Sequence, residues 1–183
     1  MRLDHIAYRT ASRDQTVDFF VRAFGYKIQC EFEIFFNDEK TDKAMCIALE
    51  PPEKVIKDMK WFCWHYVPEE HEEALAYHLA PEIFVSEGTP GSIVGDWVAK
   101  RDGIGGVHHL AYQVADVALK MKEWTEKGLG DFSSSEPLTC EGLTQVFSKY
   151  HPLTGVIYEF IKREEFGFCK DNVKKLMEST RGD

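Results

Sequence analysis

His5 lies in a run that alternates polar and apolar side chains, Leu3-Asp4-His5-Ile6-Ala7-Tyr8-Arg9-Thr10, and His109 lies in a second such run, Gly106 to Val114. The two-residue side-chain period of a strand puts His5, Ala7 and Arg9 on one face, and His109, Ala111 and Gln113 on the equivalent face of the second run. Glu159 sits among Ile157, Tyr158, Phe160 and Ile161. A carboxylate inside so apolar a strand is costly to bury unless it is paired or bound to a metal. Two imidazoles and a carboxylate suit ferrous iron, and zinc, cobalt, nickel or manganese can use the same donors. Glu82, at the start of a later apolar strand, is a candidate fourth ligand. Glu50 competes with it, because its spacing from His5 is close to that between His109 and Glu159. Arg9 and Gln113 are expected to line the cleft. His108 is expected to point outward, and His65, His71 and His78 read as a solvated face.

These residues need a scaffold that brings distant strands together, and the sequence contains one. Asp4-His5-Ile6-Ala7-Tyr8 returns as His108-His109-Leu110-Ala111-Tyr112 at an offset of 104 residues. After each copy comes a helical pattern, Val17, Phe20, Val21 and Phe24 closed by Gly25, then Val117, Met121 and Trp124 closed near Gly128. Strands are expected at Tyr26 to Phe36, Ala44 to Leu49 and Glu82 to Ser86 in the first copy. In the second they are expected at Leu143 to Tyr150 and Gly155 to Ile161. A duplication of this length means two copies of one supersecondary unit packed on each other. If they are related by an approximate twofold, His5 and His109 enter one shared cleft.

The expected division is a first module over 1–88, a linking helix and turn over 89–106, a second module over 107–163 and a C-terminal helix and tail over 164–183. Residues 51–80 interrupt the first module with Trp61, Phe62, Trp64 and Tyr66, followed by an acidic helix-like run. Ser92 to Lys100 reads as the linking helix, and Val173, Leu176 and Met177 place a helix in the tail.

Composition narrows the function. The 31 acidic against 22 basic residues leave a net charge of −9, which disfavours nucleic acid and anionic membrane surfaces. No apolar run approaches the roughly 20 residues of a membrane span, and the first residues lack a signal-peptide pattern. Five cysteines without a C-x-x-C pair make a disulfide framework a weak reading. The expectation is a cytoplasmic protein with reduced thiols, acting on a small molecule; its acidic surface and aromatic insert would suit a homodimer.

The three strands resemble the vicinal oxygen chelate superfamily. That resemblance implies an α+β fold of two β-α-β-β-β modules forming one cupped mixed sheet around one divalent metal. Leu3 to Tyr8, Gly106 to Tyr112 and Tyr158 to Arg163 look like the ligand strands in the catalytic half of the 4-hydroxyphenylpyruvate dioxygenase family. Gly167-Phe168, Asn172 and Leu176 to Ser179 are similar to that family's closing helix. By this resemblance His5, His109 and Glu159 hold Fe(II), and Phe168 belongs to a helix that covers the pocket. Tyr150 to Val156, and the helix running into His108-His109, look more like methylmalonyl-CoA epimerase. That enzyme and glyoxalase I use four protein ligands, which would make Glu82 a ligand and a catalytic proton carrier. A metal-free binding protein of the resistance type is the third reading.

Overall fold

The computed structural model describes residues 1–51, the backbone of 61–62 and 65–66, and residues 80–164 and 168–181. The first copy runs β1 (Arg2–Thr10), α1 (Arg13–Phe24), β2 (Lys27–Phe35) and β3 (Lys43–Glu50). A short antiparallel pair, β4 (Trp61–Phe62) and β5 (His65–Tyr66), precedes β6 (Glu82–Gly88). Then come α2 (Ile93–Ala99), β7 (Gly105–Gln113), α3 (Val117–Glu126), β8 (Leu138–Cys140), β9 (Leu143–Phe147), β10 (Ile157–Arg163) and α4 (Lys170–Ser179). Eight strands form one curled mixed sheet in the order β2-β3-β6-β1-β7-β10-β9-β8.

The order has the symmetry that the repeat requires. β1 and β7 pair antiparallel at the centre, and each is flanked by its own module's last strand in parallel, β6 beside β1 and β10 beside β7. The middle strands and helices thus fall outward on each side. Local chemistry fixes the ends: Gly25 adopts a left-handed φ of 76° and its N–H returns to the Val21 carbonyl, closing α1. Asp116 accepts from the Leu119 amide at the start of α3, and Ser92 accepts from the Gly95 amide at the start of α2.

The sheet is covered on both faces. On one, Val17 and Phe20 of α1 pack with Ile47, Leu49, Ile83 and Val85, while Val117 and Met121 of α3 pack with Val146 and Phe160. On the other, α4 lays Val173 and Met177 against Ala7, Phe32, Ala44 and Phe84, and Leu176 against Phe147 and Ile157. The tail helix therefore closes the face that carries His5 and His109.

Two sequence expectations change. Strand β8, which follows the Ser133-Ser134-Ser135 run, is not among the expected strands, since its three residues carry no alternation long enough to read. It brings Cys140 beside Cys169 at the start of α4, and the two form a disulfide across 29 residues. The expectation of reduced thiols is corrected for this pair, while Cys30 and Cys46 are free. No helix among the described residues is long and apolar enough to cross a membrane. The aromatic cluster of the insert and His65, His71 and His78 have side chains outside the described residues.

Candidate metal centre

Two β-bulges shape the site. Along the β1–β7 ladder Leu3 pairs with Tyr112 and His5 with Ala111, so Asp4 is an extra residue on β1. Farther along, Ala7 pairs with His109 and Tyr8 with Val107, so His108 is an extra residue on β7. A bulge turns neighbouring side chains out of strict alternation. Asp4 and His5 are accordingly both buried, as are His108 and His109. The expectation that His108 points outward is corrected for this reason: it lines the cavity beside His109.

Opposite each inward histidine the partner strand presents alanine, Ala111 across from His5 and Ala7 across from His109. A methyl group leaves room for an imidazole to cross the strand gap. Nε2 of His5 lies 3.2 Å from Nε2 of His109, and Oε2 of Glu159 lies 3.3 Å and 3.1 Å from the two nitrogens. These donor atoms all lie within 4.8 Å of one another and all three residues are buried. Oε1 of Glu159 is buried with no hydrogen-bond partner. Three converging lone-pair donors and an orphaned carboxylate oxygen fit a divalent cation, which would take up Nε2 of both histidines and the Glu159 carboxylate.

The groups behind the donors hold them in place. Nδ1 of His5 bonds Oδ1 of Asp4 at 2.8 Å, and Arg163 makes a two-pronged contact with the same Asp4 carboxylate. Burial opposes ionisation of Asp4, but His5 and Arg163 outweigh it and hold its pKa below the ordinary carboxylate range. Burial likewise opposes a charge on His5; the carboxylates of Glu159 and Asp4 overcome this and raise its pKa to about 9. In His109 burial prevails over the Glu159 carboxylate, and its pKa falls to about 4. Burial resists the charge on Glu159 too, yet His5 and His109 bring it down to about 2. Without a metal the site is thus a carboxylate, an imidazolium and a neutral imidazole.

The other expected residues divide. Arg9 is buried in the same cavity, with Nη2 donating to the Thr180 hydroxyl at 2.9 Å. Phe168 also lines it, its ring edge-on to His5 at 5.4 Å between centroids. Gln113 lies elsewhere and accepts from Nε of Arg2 at 2.9 Å. Glu82 is in register with His5 on the neighbouring strand. Its carboxylate accepts from Gln29 and lies 3.5 Å from Nη2 of Arg163, outside the donor cluster. Glu50 ends β3 opposite Lys27.

Sequence reasoning missed Gln145. It is 2% exposed on β9, lines the cavity, and has a buried Nε2 without a hydrogen-bond partner. The signal was present: Gln145 interrupts Leu143 to Phe147 as Glu159 interrupts its own strand. Phe84, Phe147, Leu176 and Met177 complete the walls, leaving a mostly apolar chamber with few polar groups.

Residues 4–137 match the family model of the glyoxalase/bleomycin resistance protein/dioxygenase superfamily. No curated protein sequence matches the chain significantly. Among solved structures, a variant of 4-hydroxymandelate synthase from Streptomyces coelicolor is 18% identical, with a TM-score of 0.71 over 98% of this chain and 53% of that one. This chain spans about half the length of that synthase. A methylmalonyl-CoA epimerase is 22% identical, with a TM-score of 0.61 over 90% of this chain and 97% of that one. The Mycobacterium tuberculosis methylmalonyl-CoA epimerase is 17% identical, with a TM-score of 0.58 over 90% and 89% of the two chains. Duplicated modules, a curled eight-stranded sheet and the family match agree, and the chain belongs to the glyoxalase/bleomycin resistance protein/dioxygenase superfamily.

Proposed function

We propose that this protein is a metal-dependent enzyme acting on a small 2-oxo acid, a non-haem iron dioxygenase of the 4-hydroxyphenylpyruvate dioxygenase type, with His5, His109 and Glu159 as its protein ligands. The carrying observation is the count and placement of donors. Three converge, while Glu82 faces Arg163 and Gln29 outside the cluster. A three-ligand set leaves coordination positions for two neighbouring substrate oxygens and for dioxygen. Bound as Fe(II), the cation would supply Lewis acidity and redox capacity there.

The chain's own residues supply the rest. Asp4 accepts from Nδ1 of His5 and so keeps Nε2 aimed at the site. Phe84, Phe147 and Phe168 exclude water and offer ring surfaces to an aryl or alkyl substituent. Arg9 provides a fixed positive charge within the same chamber. The test is oxygen consumption by Fe(II)-reconstituted protein with aryl 2-oxo acids. Uptake dependent on substrate and on Glu159 supports the reading, and none with any 2-oxo acid sinks it.

A second reading keeps the family's proton-transfer chemistry. Glu82 lies in register beside His5, with Oε2 buried, and turning it from Arg163 toward the site would provide a fourth ligand or a base. Deuterium exchange into methylmalonyl-CoA that is abolished by Glu82→Gln would favour this reading over the first.

A further inference from the structure

We propose that Cys140–Cys169 is a reversible thiol-exchange site: a dithiol reductant opens the bridge, and α4 then lifts from the chamber that it seals while the bridge is closed. The inference goes beyond the proposed function and rests on that reading only for what the chamber holds.

The chamber encloses about 30 Å³, room for one or two water molecules, so a 2-oxo acid enters only when a wall moves. Most of the wall belongs to β1, β6, β7, β9 and β10, which are neighbours in one backbone-bonded sheet. The rest is Phe168, Val173, Leu176 and Met177, side chains of α4 and of the residue before its N-cap Cys169. No strand ladder holds α4. At its C-terminal end Thr180 accepts from Arg9 and Ser179 donates to Ser133. At its N-terminal end Asn172 donates to the carbonyls of Leu138 and Leu143, both at 3.4 Å, and the bridge supplies the covalent tie.

The wall free to move is therefore α4, and the bridge pins the end that lies over the metal donors. A fixed Cys169 keeps the neighbouring Phe168 ring edge-on to His5, 5.4 Å between centroids, with the Arg163 guanidinium 4.7 Å from the same ring.

The two sulfurs differ in access. Cys140 is half-buried on the edge strand β8, whereas Cys169 is 7% exposed. The reductant's thiolate attacks Sγ of Cys140 and forms a mixed disulfide as the Sγ–Sγ bond breaks. Sγ of Cys169 leaves as a thiolate at the N-terminus of α4, where the helix dipole favours an anion, and takes up a proton. The reductant's second thiolate then displaces Sγ of Cys140, which is protonated in turn. Two electrons and two protons have passed from the dithiol, now a disulfide, to two cysteine thiols.

The experiment is hydrogen–deuterium exchange by mass spectrometry on the full chain, oxidised and after dithiothreitol. EDTA is present throughout, because Cys140, Glu141 and Cys169 lie close enough to hold stray cations once the sulfurs are free. Amides of Lys170 to Ser179 should exchange roughly 10-fold faster or more after reduction, while those of β1 and β7 keep their rates. Re-oxidation with glutathione disulfide should restore the slow exchange. Equal α4 rates in the two states, or acceleration of the whole sheet alongside α4, overturn the proposal. So does a bridge that dithiothreitol leaves intact in the folded protein.

Cys46 reads the opening itself, for it is fully buried and packs with Val173 and Met177 in one apolar cluster. Its alkylation by N-ethylmaleimide, located by peptide mapping, should quicken roughly 10-fold on reduction, and in Cys140→Ser without any reductant. An unchanged rate means that α4 loosens without uncovering the chamber, and the proposal falls. None of these readouts needs a metal. Loss of the metal reading therefore leaves the exchange site standing, and an absent redox response in protein that still retains zinc overturns this proposal alone.

Discussion

Asp4 and His108 are counterparts, each the extra residue of a β-bulge and each bonded at 2.8 Å to Nδ1 of the histidine that follows it. The duplication repeats an orienting arrangement as well as a ligand, but the chemistry differs between the halves. A carboxylate behind His5 favours an imidazolium in the metal-free protein and a basic ligand in the loaded one. Behind His109 stands the imidazole of His108, which burial keeps well below its ordinary pKa. Two nearly symmetric histidines thereby acquire pKa values of about 9 and about 4.

The proton on His5 makes metal binding pH-dependent. Its pKa is raised from 6.5 to about 9, because Glu159 and Asp4 outweigh the burial that would lower it. The stability gained from charged His5 is therefore complete below about 6.5 and lost as pH rises through about 9. A cation must displace this proton. Apparent Zn(II) affinity in chelator competition should rise about tenfold per pH unit approaching that pKa and level off above it. A flat profile would mean that His5 is not a ligand.

Replacing Asp4 by Asn removes the carboxylate while keeping a hydrogen-bonding group of the same size. Zn(II) affinity should fall roughly 10-fold to 100-fold, and the rise with pH should move to lower values as the His5 pKa drops. Unchanged affinity would show that Asp4 serves only the ion pair with Arg163.

Ala111 leaves the space that His5 occupies, and Ala7 the space for His109. Ala111→Leu should displace the imidazole, destabilise the fold by about 1–3 kcal/mol through overpacking and abolish metal retention. Thermal melts and metal analysis on the same sample check both effects.

The Cys140–Cys169 bridge ties β8 to the N-cap of α4 across 29 residues. A loop of that order constrains the unfolded chain, so Cys140→Ser should cost roughly 2–4 kcal/mol in chemical denaturation. Thiol titration should also find two more reactive sulfhydryls after reduction than before. Identical counts would show that the bridge does not form in solution.

The scaffold is legible in the sequence because the repeat is local and periodic: β1, β7 and their helices follow from alternation and caps. A polar residue inside an apolar strand marks Glu159, and the same argument would have found Gln145. The bulges are invisible to a two-residue period, since one extra residue leaves the sequence pattern nearly intact while turning its side chain to the other face. This is why His108 reads as outward and why the role of Asp4 is hidden. Strand β8 is too short to announce itself, and the disulfide depends on it. The neighbours of Glu82 come from β2 and β10, distances that spacing along the chain cannot supply.

The central claim is a three-ligand metal centre, and elemental analysis of anaerobically purified protein tests it most directly, with wild type beside Glu82→Ala and Glu159→Ala. The account expects near-stoichiometric iron in wild type and Glu82→Ala, and none in Glu159→Ala. Metal lost with Glu82, or no metal in wild type even after reloading, would contradict it.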